Sequence, residues 1–226
     1  MIDFHTHILP GMDDGSRSVE QSLEMLNIEA RQGITGVVLS SHFYADENNI
    51  DAFLQRRQAA FDRLAQQYSK DMPRLYLGAE VQYFEGIGRC DDLSRLCISG
   101  TDLLLLEMPM TPWSKRMVDD VIQLNKRSDI RIVIAHLDRY FDCQPKALWR
   151  RLVDVGFLIQ INTSAFRHFR SRMIVMNMLK RGQVHFLGTD CHGVHSRSPE
   201  WTKVPDKVKE LLGSNTFLQS AESTIL

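Results

Sequence analysis

Met1-Ile2-Asp3-Phe4-His5-Thr6-His7-Ile8-Leu9-Pro10-Gly11-Met12-Asp13-Asp14-Gly15 opens the chain. An apolar start runs straight into His5-Thr6-His7, and two adjacent carboxylates follow inside a turn rich in Pro and Gly. Side chains two apart on a strand point to the same side, so His5 and His7 can reach one ion together. A lone His-x-His reads better as two unrelated histidines. This one gains weight because the same arrangement, an apolar strand ending in a metal-type ligand, returns along the whole chain.

A helix follows Ser18, with an apolar stripe at Leu23, Leu26 and Ala30 and a stop at Gly33. The β-branched run 34–40 ends just before His42, and a polar helix over about 50–68 leads to a strand over 75–80 that delivers Glu80. Residues 102–106 deliver Glu107, 130–135 deliver His136, 157–161 deliver Asn162, and 184–187 deliver Asp190 and His192. Helices after Pro112, over about 146–155 and over about 170–181 separate these runs, and 204–212 reads as a closing helix. The strands are continuous apolar runs, the pattern of a parallel sheet buried on both faces. Seven such runs separated by helices predict a closed or nearly closed barrel, whose chemistry sits at the C-terminal strand ends. Those ends carry five of the eight histidines.

With no linker, repeat or low-complexity stretch, a single α/β domain over 1–226 is expected. A net charge of -1 gives no reason to expect nucleic acid or an anionic membrane as partner. The chain starts on its first strand, without room for a signal peptide, and no apolar run approaches spanning length. The four cysteines make no Cys-x-x-Cys pair, so a reduced, cytoplasmic protein is expected.

The candidate ligands are His5, His7, one aspartate of the opening turn, His42, Glu80, Glu107, His136, Asp190 and His192. Imidazoles mixed with carboxylates suit Mn²⁺, Fe²⁺ or Zn²⁺. The set is too large for one ion, and two or three ions would use it fully. Metals ~3.5–4 Å apart clamp the attacking and leaving oxygens of an in-line displacement, so the expected chemistry is hydrolysis of a phosphoester. Arg139 and Arg197 fall in loops at the same rim, where they read equally as phosphate-binding forks or as surface ion-pair partners. Asn162 is a poor ligand for such metals and reads as a support for its neighbours. Phe43, Tyr44, Trp113, Tyr140 and Phe141 also fall at the rim, as a wall for a substrate ring or as packing beneath loops.

The opening motif, Ser41-His42, Gly78-Ala79-Glu80, Ala135-His136-Leu137-Asp138-Arg139-Tyr140 and Asp190-Cys191-His192 resemble the polymerase-and-histidinol-phosphatase (PHP) family, across almost the whole chain and in order. Within it they resemble the bacterial manganese-dependent tyrosine-protein phosphatases of capsule and exopolysaccharide operons. The resemblance implies a distorted (β/α)₇, TIM-like barrel with a trinuclear Mn²⁺ centre. It would place His5, His7, Glu80 and Asp190 on one ion, and Glu80, Glu107 and His136 on a second. Asp14, His42 and His192 would hold a third, with Asp13 the other candidate aspartate, while Arg139 and Arg197 match the phosphate-binding arginines. Asp138 stands where relatives commonly carry Glu, and Ser41-His42-Phe43 replaces a more His-rich motif; neither change removes a ligand. The implied substrate is a phosphotyrosine-bearing protein, a polysaccharide-synthesis tyrosine kinase. A small phosphorylated metabolite such as histidinol phosphate is the alternative, and a non-catalytic scaffold is disfavoured because every ligand is kept.

Cys191-His192-Gly193-Val194-His195-Ser196-Arg197-Ser198 also satisfies Cys-x5-Arg-Ser, the signature of thiol-dependent tyrosine phosphatases. That chemistry needs a helix N-terminus to lower the thiol pKa. Here Pro199 follows Ser198, and Asp190 sets a negative charge beside the thiol, so metal chemistry is expected instead.

Overall fold

The computed structural model describes residues 1–213, so the end of the expected domain, 214–226, lies outside the described residues. Apolar runs and helices alternate as β1 (Ile2–Thr6), α1 (Val19–Arg31), β2 (Gly36–Leu39), β3 (His42–Phe43), α2 (Ile50–Ala65), β4 (Arg74–Leu77) and β5 (Glu80–Gln82). There follow β6 (Leu103–Glu107), α3 (Lys115–Leu124), β7 (Arg131–Ile134), α4 (Lys146–Asp154), β8 (Leu158–Asn162), α5 (Phe169–Lys180), β9 (Phe186–Gly188) and α6 (Asp206–Gly213). Side-chain oxygens of Ser18, Asn49 and Ser114 cap α1, α2 and α3 by accepting from backbone N–H groups three residues on. The crossover from β5 to β6 runs through two 3-10 turns, Ile87–Arg89 and Asp91–Leu96, where no regular helix forms.

All pairings are parallel, in the orders β1-β2-β4 and β3-β5-β6-β7-β8-β9. The sheet curls, but its ladder is not the closed barrel expected from seven runs. The run 34–40 stops at Leu39 and pairing resumes as a separate strand at His42, and the run 75–80 breaks at Gly78-Ala79, which divides the ladder into two sections. At the first break side chains add to the backbone bond from the Ser40 N–H to Thr6 O (2.9 Å). The Thr6 N–H donates to Ser40 Oγ (3.0 Å), which donates to Thr6 O (3.1 Å), while Thr6 Oγ1 donates to Val38 O (2.8 Å). Between the first and last strands there is one bridge, Thr6 to Cys191, because Asp190 turns into the left-handed region and ends the strand geometry.

Alternation along the strands divides the apolar residues between two cores. Phe4, Val38, Tyr76, Leu103, Leu105, Val133 and Phe186 fill the inside of the curl, with Phe4 stacked on Phe186 at 3.8 Å between ring centres. Their neighbours Val37, Leu39, Leu75, Leu77, Leu104, Leu106, Ile132 and Ile134 pack outward under the helices. Continuing the inner register in steps of two from Val38, Tyr76, Leu105, Leu158 and Phe186 arrives at the polar cluster described next.

Candidate metal centre

That register carries His42 from Val38 through Ser40, Glu80 from Tyr76, Glu107 from Leu105, Gln160 and Asn162 from Leu158, and Asp190 from Phe186. Two residues depart from it. On β1 both Phe4 and His5 turn inward, which the ladder records as a register shift between Asp3 and Thr6. His136 follows the inward Ala135 and reaches the cluster through left-handed backbone, φ 31°. Among the described residues the non-glycine positions of positive φ are His136, Asp190 and Arg197, all of them candidate site residues. Such backbone costs of order 1–3 kcal/mol and collects at functional sites.

The nine expected ligands meet at one end of the sheet, most of them buried. Ring nitrogens surround one carboxylate: Glu80 Oε2 lies 3.1 Å from His5 Nε2, 3.2 Å from His7 Nε2 and 3.1 Å from His42 Nδ1. His136 Nε2 lies 2.9 Å from Glu80 Oε1 and 3.3 Å from Glu107 Oε1. Asp14 Oδ1 sits 3.2 Å from His192 Nε2 and 3.5 Å from His42 Nε2. Three groups could each hold an ion, their donor atoms within 4.8 Å of one another: His7, Asp14, His42 and His192; His5, His7 and Asp190; His42, Glu80 and Glu107.

Hydrogen bonding tests whether a metal fits. His5 Nδ1 faces Gln160 Oε1 at 3.2 Å, His7 Nδ1 faces Asp13 Oδ2 at 2.9 Å, and His192 Nδ1 faces the Asp190 carbonyl at 3.0 Å. Each partner is an acceptor, so each Nδ1 carries the proton and each Nε2 is left with a lone pair. Yet His5 Nε2 and His7 Nε2 point at each other from 3.1 Å. Two lone pairs at that distance repel, whereas ligands ~2.1 Å from a shared ion lie ~3.0–3.4 Å apart. Glu80 Oε2, His42 Nδ1 and His192 Nε2 are likewise buried without a hydrogen-bond partner. The donor set fits divalent cations.

Electrostatics agrees. Asp13, Asp14, Glu80, Glu107 and Asp190 against Arg139 and Arg197 leave three uncompensated negative charges if the histidines are neutral. Without cations, protons on the same imidazoles would take up part of that demand. Burial disfavours charge on His136, but Glu107 and Glu80 outweigh it and raise the imidazole to about 10. His7 is raised against its burial by Asp13 and Glu80. Glu80 is held well below the usual carboxylate range, the imidazoles of His5, His136 and His7 overcoming its desolvation. Burial, with the nearby His7, pushes His192 down to about 4.

The adjacent aspartates have different work. Asp13 accepts from His7 Nδ1, from the Gly15 N–H (3.0 Å) and from the His42 N–H (3.0 Å), so it orients two ligands and folds the opening turn. Gly15 is required there, since a Cβ would lie 2.2 Å from the His7 carbonyl. Asp14 faces the outer group, where a cleft of about 440 Å³ lined by Arg17, His192, His195 and Arg197 opens to solvent. Arg139 and Arg197 both grip Asp190, the latter at 2.7 Å. Asn162 donates to Asp190 Oδ2 at 2.9 Å. Gln160, which sequence reasoning passed over as an interior strand residue, accepts from His5 and from the His136 N–H (2.6 Å) and donates to Asn162 Oδ1 (2.9 Å). Its signal was a polar residue inside an apolar strand.

Of the rim aromatics, Phe43, Trp113, Tyr140 and Phe141 are buried as packing. Tyr44 keeps a half-exposed face and stacks on His42 at 5.2 Å. Cys191 is 0% exposed, and burial pushes its thiol well above the ordinary value. Its loop, 191–198, does not run into a helix N-terminus, since α6 begins only at Asp206.

Known proteins resemble this arrangement. The tyrosine-protein phosphatase CpsB of Streptococcus pneumoniae is 29% identical over 231 residues, which covers 95% of this chain and 92% of that one. The tyrosine-protein phosphatase YwqE of Bacillus subtilis (strain 168) is 28% identical over 211 residues, 88% of this chain and 80% of that one. The fold matches a chain from the crystal structures of YwqE from B. subtilis and CpsB from S. pneumoniae, described as unique metal-dependent tyrosine phosphatases. The TM-score is 0.76 at 23% identity, over 100% of this chain and 96% of that one. The family model for capsular polysaccharide synthesis, CpsB/CapC, matches residues 1–221, and the chain belongs to that family.

Proposed function

We propose that this chain is a metal-dependent protein-tyrosine phosphatase, a distorted (β/α)₇ PHP domain working in the cytoplasm. Its substrate is a phosphotyrosine-bearing tyrosine kinase of capsule or exopolysaccharide synthesis. The observation that carries the reading is the convergence of His5 Nε2 and His7 Nε2 on one another beside Glu80 Oε2, a set of donors with nothing between them to bind but a cation.

His5, His7, Glu80 and Asp190 would hold one Mn²⁺; Glu80, Glu107 and His136 would hold a second; Asp14, His42 and His192 would hold a third. Fe²⁺ or Zn²⁺ would suit the same donors. When bound, such ions polarise the phosphoryl oxygens and acidify water. The protein does the remainder. Asp13, Gln160 and the Asp190 carbonyl hold the Nδ1 protons of His7, His5 and His192, which fixes each ring with Nε2 inward. Arg139 and Arg197 already converge on the carboxylate of Asp190, and the same forks match the equatorial oxygens of a phosphoryl group. The tyrosine leaves as a phenolate of pKa about 10, which needs little acid assistance.

Phosphate release from phosphotyrosine peptide and from histidinol phosphate, measured on protein of known metal content, tests the reading. Turnover of the peptide with bound Mn²⁺ is expected. Preference for histidinol phosphate would overturn the substrate, and activity in metal-free protein would overturn the centre.

A further inference from the structure

One depression on the surface is lined by none of the metal-centre residues. It is a groove of about 680 Å³ between α4 and α5, floored by Trp149, Ile174 and Met178. Phe169 and Met173 stand in its wall 81% and 57% exposed. A large aromatic left almost wholly in water beside an apolar floor marks an interaction surface.

Charge says what kind of partner fits. The chain carries -1 overall, yet residues 167–181 hold Arg167, Arg170, Arg172, Lys180 and Arg181 and no acid. Arg170 pairs with Asp142 at 3.0 Å and Arg167 with Glu200 at 3.3 Å. Lys146, Arg150 and Arg181, which line the groove, form no ion pair among the described residues. The acid in its wall, Asp154, ends α4.

Position ties the groove to the chemistry. In parallel βα units each helix starts at the C-terminal edge of the sheet, so the first turns of α4 and α5 stand on the side of the metal cluster. Phe141, in the upper wall, lies two residues from Arg139. The twelve residues of α5 give the groove a length of about 18 Å, the span of about five extended residues.

We propose that this groove binds an acidic segment bearing an aromatic or aliphatic side chain, flanking the phosphotyrosine in the protein substrate. Its carboxylates meet Lys146, Arg150 and Arg181, and its apolar side chain covers Phe169 and Met173. The assignment rests on the phosphotyrosine reading above and adds to it a source of selectivity outside the metal centre.

Kinetics on the metal-loaded protein test it, with free phosphotyrosine and with peptides carrying either an Asp/Glu/Phe flank or a Ser/Ala flank on each side. The acidic flank is expected to raise kcat/KM roughly tenfold, the scale of two or three exposed ion pairs, through KM and less so at high salt. Lys146→Glu with Arg150→Glu, and separately Met173→Glu, should remove that advantage and leave free phosphotyrosine unchanged. Equal rates for the two flanks, or an advantage surviving both variants, would overturn it. A wild-type dimer in sedimentation that Met173→Glu separates would also overturn it, by making the groove a self-interface. Fluorescence anisotropy of the labelled, unphosphorylated acidic peptide reads the groove by itself. If no phosphotyrosine is hydrolysed while that binding persists and Met173→Glu abolishes it, the functional reading fails and the groove stands.

Discussion

His136 concentrates the site's demands in one residue: it offers Nε2 to Glu80 and Glu107 and sits at φ 31°. Asn tolerates left-handed backbone, so His136→Asn separates loss of the ligand from loss of the turn. Phosphate release should fall roughly a hundredfold or more with the circular dichroism unchanged; near-normal turnover would remove this imidazole from the centre. Arg139→Ala and Arg197→Ala should each keep bound metal, measured by elemental analysis. Each should lose ~2–4 kcal/mol of transition-state stabilisation, roughly a hundredfold in kcat. Full activity in both would leave the arginines as partners of Asp190 only. The ligand residues were legible because period-two alternation and strand ends place side chains by count alone. Gln160 and the division of labour between Asp13 and Asp14 were not, because both depend on which neighbour a side chain meets across the sheet.

At the scale of elements, β1 and α1 are tied to the segments that carry Asp190 and Trp201 by a buried acid pair. Asp3 accepts from the His5 N–H (3.1 Å), the Thr189 N–H (3.0 Å) and Thr189 Oγ1 (2.6 Å), while Trp201 Nε1 donates to Glu29 Oε2 at 3.0 Å. Burial and the Asp3 charge raise Glu29 well above its ordinary 4.5, so it stays protonated against Asp3. An acid raised in the folded state keeps a proton that the unfolded chain has released. Its stabilisation is complete below 4.5 and is lost as pH rises from there through the folded value, at about 1.4 kcal/mol per unit of elevation. Glu29→Gln is neutral at every pH and keeps an oxygen for Trp201. Its melting temperature should fall less than that of wild type between pH 5 and 8; parallel curves would contradict the shared proton. Helix and strand order followed from periodicity, but the breaks at Ser40-Ser41 and Gly78-Ala79 did not. Periodicity does not show that Ser40 bonds Thr6 through both its N–H and its hydroxyl, nor that pairing stops at Leu77 and resumes at Glu80.

For the whole molecule, the metal centre joins residues from His5 to His192 and brings together the first and last strands, which share one bridge among the described residues. Bound ions should therefore stabilise the fold as well as act in it. At Mn²⁺ a hundredfold above its dissociation constant, linkage contributes about 2.7 kcal/mol, so stripping the metal should lower the melting temperature by about 5–10 °C. No change on chelation would detach the centre from the fold. The barrel expected from seven runs was overstated, because neither the division of the ladder into two sections nor the left-handed turn at Asp190 that ends the last strand is visible to periodicity.

The central claim is that phosphotyrosine hydrolysis here depends on metal and not on Cys191, although the sequence carries Cys-x5-Arg-Ser. Phosphate release from a phosphotyrosine peptide, followed for wild type and Cys191→Ser with EDTA and after adding Mn²⁺ back, decides it in one assay. Cys191→Ser should stay largely active, the thiol being buried and its pKa raised. EDTA should stop both proteins, and Mn²⁺ should restore both. Chelator-resistant activity that disappears in Cys191→Ser would contradict the claim.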